Sequence, residues 1–201
     1  MQGNNSPLIV LCEGASELAY ISEINRLFVR GAYGSAAFSP RMVGSGHFNS
    51  IRRKYKEAIK EQRKPSLVIW VDRDLFVRND RKCQSLFLED KTVPKELFLF
   101  SEMNFEDFLM LHCDDVELEQ WILGMQEIRQ FQSPVHERDY LPLFRQRFPE
   151  YRKGELPFAL NYERLATMMR HASNKECPVK NGFGLLLKEQ IEKGEIRPSY
   201  R

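Results

Sequence analysis

A chain of 201 residues, 42% apolar and 29% charged, is long enough to bury a sizeable core without disulfide or metal staples. Its net charge of +2 excludes a globally basic nucleic-acid binder, so any basic surface has to be local. Cys12, Cys83, Cys113 and Cys177 fall in no CxxC or other metal-ligand spacing, and no apolar run approaches a leader or a membrane span, so the expectation is a cytoplasmic protein with no membrane partner.

Leu8 to Cys12 is a continuous apolar run and predicts a strand buried on both faces. Gly14-Ala15-Ser16 breaks it. A helical period follows through Leu18, Ile21, Ile24 or Asn25, and Phe28, with Ser16 as its N-cap and Glu17 at its positive end. Gly31 to Gly34 ends that helix. Ala36 to Val43 predicts a second strand, placed at an edge by Pro40. Phe48, Ile51, Tyr55 and Ile59 mark a helix running to about Arg63, closed by Pro65. Ser66 to Val71 is the strongest strand signal and ends on Asp72-Arg73-Asp74. A helix is expected somewhere in 76–91, a buried strand at Leu97 to Phe100, a turn at Ser101 to Asn104 and a helix at Phe105 to His112.

Strands alternating with helices imply a mainly parallel α/β sheet covered on both faces. After Asp114 only helical patterns appear, around Trp121, Phe144, 160–171 and 183–192. The expected organisation is a catalytic α/β unit over 1–115 with a helical extension over 116–201 packed on it.

Ligands of parallel α/β sheets bind at the carboxyl ends of the strands. Glu13 ends the first strand, and Asp72 and Asp74 end the central one. Residues i and i+2 of an extended chain point to one side, so both aspartates can address a common point with Arg73 turned away. Such carboxylates suit magnesium, or manganese, for phosphoryl-transfer chemistry, with Glu13 as a third ligand or a general acid/base. A DxD is also an ordinary feature of strand-to-helix loops, and Glu13 is what raises it above that. The haloacid-dehalogenase arrangement is excluded by Glu13 in the nucleophile's place and Leu75 after Asp74. There is no P-loop, GxGxxG or nucleophile elbow.

Val10-Leu-Cys-Glu-Gly-Ala-Ser-Glu-Leu-Ala-Tyr20 resembles the hhxEGxTExxY opening of the RloB-like stand-alone TOPRIM family. Ile69-Trp-Val-Asp-Arg-Asp74 resembles its DxD strand, and Ser101 to His112 its SNPxFExWLLLH segment. Tyr151-Arg-Lys153 is similar to a YxK element. Ser16 replaces the usual threonine, the proline of the third segment is absent, and Asp107-Phe108 stands near the usual tryptophan. The resemblance implies a TOPRIM-like sheet and a magnesium-dependent nuclease acting on RNA or DNA in bacterial phage defence or restriction, with an ATPase as a possible partner protein. The alternative is a non-catalytic, partner-binding subunit of a defence complex. A primase-like activity ranks below both.

Beyond the acidic core, Glu106 is a candidate further metal ligand or supporting group, or simply a first-turn glutamate of its own helix. Glu17, His112 and Lys153 are lesser candidates, His112 reading first as a buried, satisfied histidine. Arg52, Arg53, Lys56 and Lys60 make the second helix basic, for a phosphate backbone or as a solvated face. Arg145, Arg147, Arg152 and Lys153 form a looser second group.

Overall fold

The computed structural model describes residues 6–31, 34–44, 47–61, 65–73, 81–101, 104–131 and 135–199. Four parallel strands form the main sheet. They are β1 (Leu8–Cys12), β4 (Phe38–Met42), β5 (Leu67–Asp72) and β6 (Phe98–Ser101), in the order β4-β1-β5-β6. All five residues of β1 are buried, as its unbroken apolar run requires of a strand covered on both sides. Alternate side chains feed two cores. Leu8, Val10 and Cys12 pack with Trp70 against α1 (Ala15–Leu27) and the helices of the second half, while Ile9 and Leu11 pack with Ile69 and Val71 against α2 (Phe48–Glu61).

β4 is an edge strand, as Pro40 predicts. The Asn25 side chain donates to the Phe38 carbonyl and accepts from the Phe38 N–H, at 2.9 and 2.8 Å, so part of the free edge is already paired. α3 (Arg81–Glu89) falls within the expected 76–91 helix and follows residues 74–80, which lie outside the description. A single 3-10 turn, Lys95–Leu97, leads into β6. α4 (Phe105–Met110) follows and is buried on every side.

The remaining helices are α5 (Asp115–Phe131), α6 (Glu137–Arg147), α7 (Tyr162–Ser173) and α8 (Gly182–Glu192), matching the four helical patterns of the second half.

Three local expectations are corrected. α1 stops at Leu27, and Phe28–Arg30 is strand β2, which pairs antiparallel with β3 (Ser35–Ala36) and with β7 (Ile196–Pro198). Phe28 keeps helical spacing in the sequence, but long-range pairing takes it into the strand. β7 is a strand in a half that shows only helical patterns. The N-cap of α1 is Gly14 rather than Ser16. The Ser16 hydroxyl instead accepts the Gly154 N–H at 3.1 Å.

The two halves interlock. Asn181 bridges to Ser101 at the β6 edge, and Gly182 lies against Leu99 and Phe100. One apolar cluster runs from β1 through α8. The cysteines are free and buried, and no helix among the described residues is long and apolar enough to cross a membrane.

Candidate active-site cleft

The carboxyl ends of β1 and β5 lie side by side, with Cys12 in register with Trp70. Glu13 follows Cys12 directly and Asp72 ends β5 two residues after Trp70, and the Asp72 N–H donates to Glu13 Oε2 at 3.3 Å. Both line a cleft of about 300 Å³ with Glu17, Glu106, Tyr140 and Lys153. Five sequence candidates therefore share one cavity. Asp74, the second aspartate of the DxD, lies outside the described residues.

Glu106 is 2% exposed, and each of its oxygens accepts one tyrosine hydroxyl at 3.0 Å, Oε2 from Tyr140 and Oε1 from Tyr151. Burial, and then the charge of Glu106, push both phenols well above their ordinary pKa, so both remain proton donors. Tyr140 comes from α6 and Tyr151 from the turn after it. The second half of the chain thus fixes the orientation of a carboxylate carried by α4. Tyr140 has no sequence signal beyond its place beside the apolar period of Leu141 and Phe144.

Glu17 is buried, and its Oε2 accepts the Gly14 N–H at 3.2 Å, closing the first turn of α1. Burial raises its pKa above the ordinary value, with the charge of Glu106 adding, against the hydrogen bonds from the Glu17 and Gly14 amides. Lys153 is half exposed and pairs with Glu137 at 2.8 Å. Burial works against its charge, but the Glu137 bond and the fields of Glu106, Glu137 and Asp72 raise its pKa. The cleft therefore sets four carboxyl groups against one ammonium.

Other candidates lie elsewhere. His112 is buried, with Nδ1 facing the carbonyls of Phe108 and Leu109 and Nε2 2.9 Å from the Tyr20 hydroxyl. The carbonyls place the proton on Nδ1, so Nε2 accepts from Tyr20. Burial lowers its pKa to about 3, leaving a neutral structural histidine. Asp107, beside Glu106, takes hydrogen bonds from Trp121 Nε1, Arg129 and the Asn104 amide.

On α2, Arg52 pairs with Asp90 and Arg53 with Glu57, while Lys56 and Lys60 are exposed. Ile59 lines a different cavity with Leu8 and Leu67, at the amino ends of the strands, so the Lys60 end of α2 is remote from Glu13 and Asp72.

The cleft offers oxygen donors, the set that magnesium or manganese prefers. Among the described residues no three such groups close on one point as an ion requires. No protein-family model, curated protein or solved structure matches the chain.

Proposed function

We propose that this chain is a divalent-metal-dependent nuclease of TOPRIM type, cleaving RNA or DNA phosphodiesters in bacterial phage defence or restriction. The observation that carries the reading is the shared cleft, where Glu13 and Asp72 from neighbouring parallel strands meet Glu106. The parallel sheet is compatible with that fold, and the Glu13, DxD and Ser101–His112 segments resemble that family.

In this reading Glu13, Asp72 and Asp74 hold magnesium or manganese, with Glu106 as a further oxygen donor or a support. A divalent ion there supplies Lewis-acid stabilisation of phosphoryl oxygens and acidifies water. The protein's own part is positional. The strand ends fix Glu13 and Asp72, two tyrosines hold Glu106 still, and Lys153 places one positive charge beside the carboxylates.

The test is cleavage of labelled single- and double-stranded RNA and DNA, tRNA included, with magnesium or manganese. Asp72→Asn and Glu13→Gln are each expected to lower the rate by more than about 100-fold, beyond the loss typical of a supporting residue. Undiminished cleavage by Asp72→Asn overturns the assignment. No cleavage of any substrate, alone or with an ATPase partner, overturns the function. A second reading is a non-catalytic, partner-binding subunit of a defence complex. Calorimetry that finds no manganese uptake by folded protein would establish that reading over the first.

A further inference from the structure

Tyr151, Lys153 and Gly154 sit on one turn, and the wall of the cleft holds that turn at both ends. The Tyr151 hydroxyl donates to Glu106 Oε1 at 3.0 Å, and the Gly154 N–H donates to the Ser16 hydroxyl at 3.1 Å. The Glu155 N–H closes the turn on the Arg152 carbonyl at 3.1 Å, with Gly154 in the left-handed region at φ +89°. A Cβ on Gly154 would lie 3.4 Å from the Ala15 Cβ, so the turn rests against the start of α1. Lys153 is therefore carried between two anchors whose partners, Glu106 and Ser16, line the cleft with it.

The backbone of Lys153 is fixed, but its side chain is only lightly held. Lys153 and Glu137 pair at 2.8 Å with side chains 46% and 50% exposed, and an ion pair this solvated is worth little. Among the described residues that line the cleft, Lys153 is the only cation, and it shares that space with Glu13, Glu17, Asp72 and Glu106. Burial works against its charge, but the Glu137 bond and the fields of Glu106, Glu137 and Asp72 hold its pKa up. It therefore stays an ammonium and serves as a charge rather than as an acid.

Resting on the nuclease reading, we infer that Lys153 is a catalytic residue, whose ammonium leaves Glu137 and meets a non-bridging oxygen of the phosphodiester being cut. In that hydrolysis the oxygen of water bonds to phosphorus as one bond from phosphorus to a sugar oxygen breaks. One water proton ends on the departing sugar oxygen, and the other stays with the phosphate product or passes to solvent. Negative charge is spread over the phosphoryl oxygens in the transition state, and a cation already in place there lowers the barrier without reorganising. Four carboxyl groups otherwise repel the phosphate. A flexible four-carbon stem on a fixed turn lets the point charge change partners.

The experiment measures kcat and KM of the full chain on the labelled RNA and DNA strands in saturating manganese, with manganese affinity taken by calorimetry. Lys153→Gln is expected to lower kcat by about 100-fold or more, the loss typical of one removed transition-state donor, with KM within about threefold. Lys153→Arg keeps the charge and is expected to hold kcat at least about tenfold above that of Lys153→Gln. Glu137→Gln releases the ammonium and is expected to keep the full rate. A cooperative urea transition checks that each variant is folded.

If Lys153 only offsets the carboxylates at rest, Lys153→Gln tightens manganese binding and keeps kcat within about tenfold. That result overturns the inference while the nuclease reading stands. So does a Lys153→Arg rate no better than that of Lys153→Gln, or a Glu137→Gln loss equal to it, which would make the pair a strut. If the unsubstituted protein cuts no strand, both fall.

Discussion

The two tyrosines on Glu106 allow a quantitative test of how the cleft is held. Tyr140 and Tyr151 are each 3% exposed and each donates one hydrogen bond of 3.0 Å to a carboxylate that is 2% exposed. A hydrogen bond to a charged group contributes about 1.5–3 kcal/mol, against about 0.5–1.5 kcal/mol between neutral groups. Tyr140→Phe or Tyr151→Phe removes only the hydroxyl and leaves the ring in place, so each is expected to cost about 1.5–3 kcal/mol. In a chain of this size that is roughly 3–12 °C in Tm. In a Glu106→Gln background the same Tyr→Phe changes should cost less, by about 1 kcal/mol or more, because the charge that strengthens the bond is gone. Urea unfolding of metal-free protein supplies the four corners of each cycle, with an unchanged m value confirming that the native state is intact. If each hydroxyl costs under about 0.5 kcal/mol in both backgrounds, the tyrosines do not hold Glu106 and the argument for a fixed carboxylate fails.

Two further outcomes follow from burial and close packing. His112 has a folded pKa of about 3 against an ordinary 6.5, so as pH falls between those values the unfolded chain takes up a proton that the native state refuses. Stability should therefore drop by about 1.4 kcal/mol per pH unit from this group, and His112→Gln should show a shallower acid slope in urea titrations between pH about 6 and 4; parallel slopes would contradict a buried neutral imidazole. Gly182→Ala should cost about 1–3 kcal/mol, because its Cβ would lie 3.1 Å from both Leu99 Cα and Leu99 Cβ, rigid parts of β6. Gly124→Ala should stay within about 1 kcal/mol of neutral, because its Cβ meets only the tip of Leu143 and it gains helix propensity; the reverse ranking of the two would refute this account.

The parallel sheet was legible because its strands are short apolar runs that end at turns, and strands buried on both faces need no other pattern. Leu8–Cys12 and Leu67–Asp72 stand out for that reason, and their ends led to Glu13 and Asp72. The small antiparallel sheet was not legible. Phe28–Arg30 finds its partner at Ile196–Pro198, across nearly the whole chain, and its first residue happens to continue the helical period of α1. Glu106 was half legible. Its place after the fourth expected strand and its turn is in the sequence, but its tyrosine donors lie 34 and 45 residues downstream; only Tyr151 is marked there, by the resemblance of Tyr151-Arg-Lys153 to a YxK element, and nothing marks Tyr140. Asp107 shows the limit most clearly. In sequence it and Glu106 are neighbouring acids at one helix start, yet one step of about 100° sends Asp107 to Trp121 and Arg129 and leaves Glu106 lining the cleft.

The second half of the chain reads as an addition to an α/β unit, but the chemistry of the cleft does not divide there. The first half supplies carboxylates, which repel one another when gathered in a partly dry cavity. The second half supplies what makes that gathering tolerable: two hydroxyl donors on Glu106, the ammonium of Lys153, and Gly154, whose N–H binds Ser16 and pins the 151–154 turn to the first turn of α1. Burying a charge without hydrogen-bond partners costs several kcal/mol, so Glu106 is tolerable at 2% exposure only with the α6 side of the molecule in place. The helices after 115 are therefore part of the cleft's electrostatics, whatever else they bind.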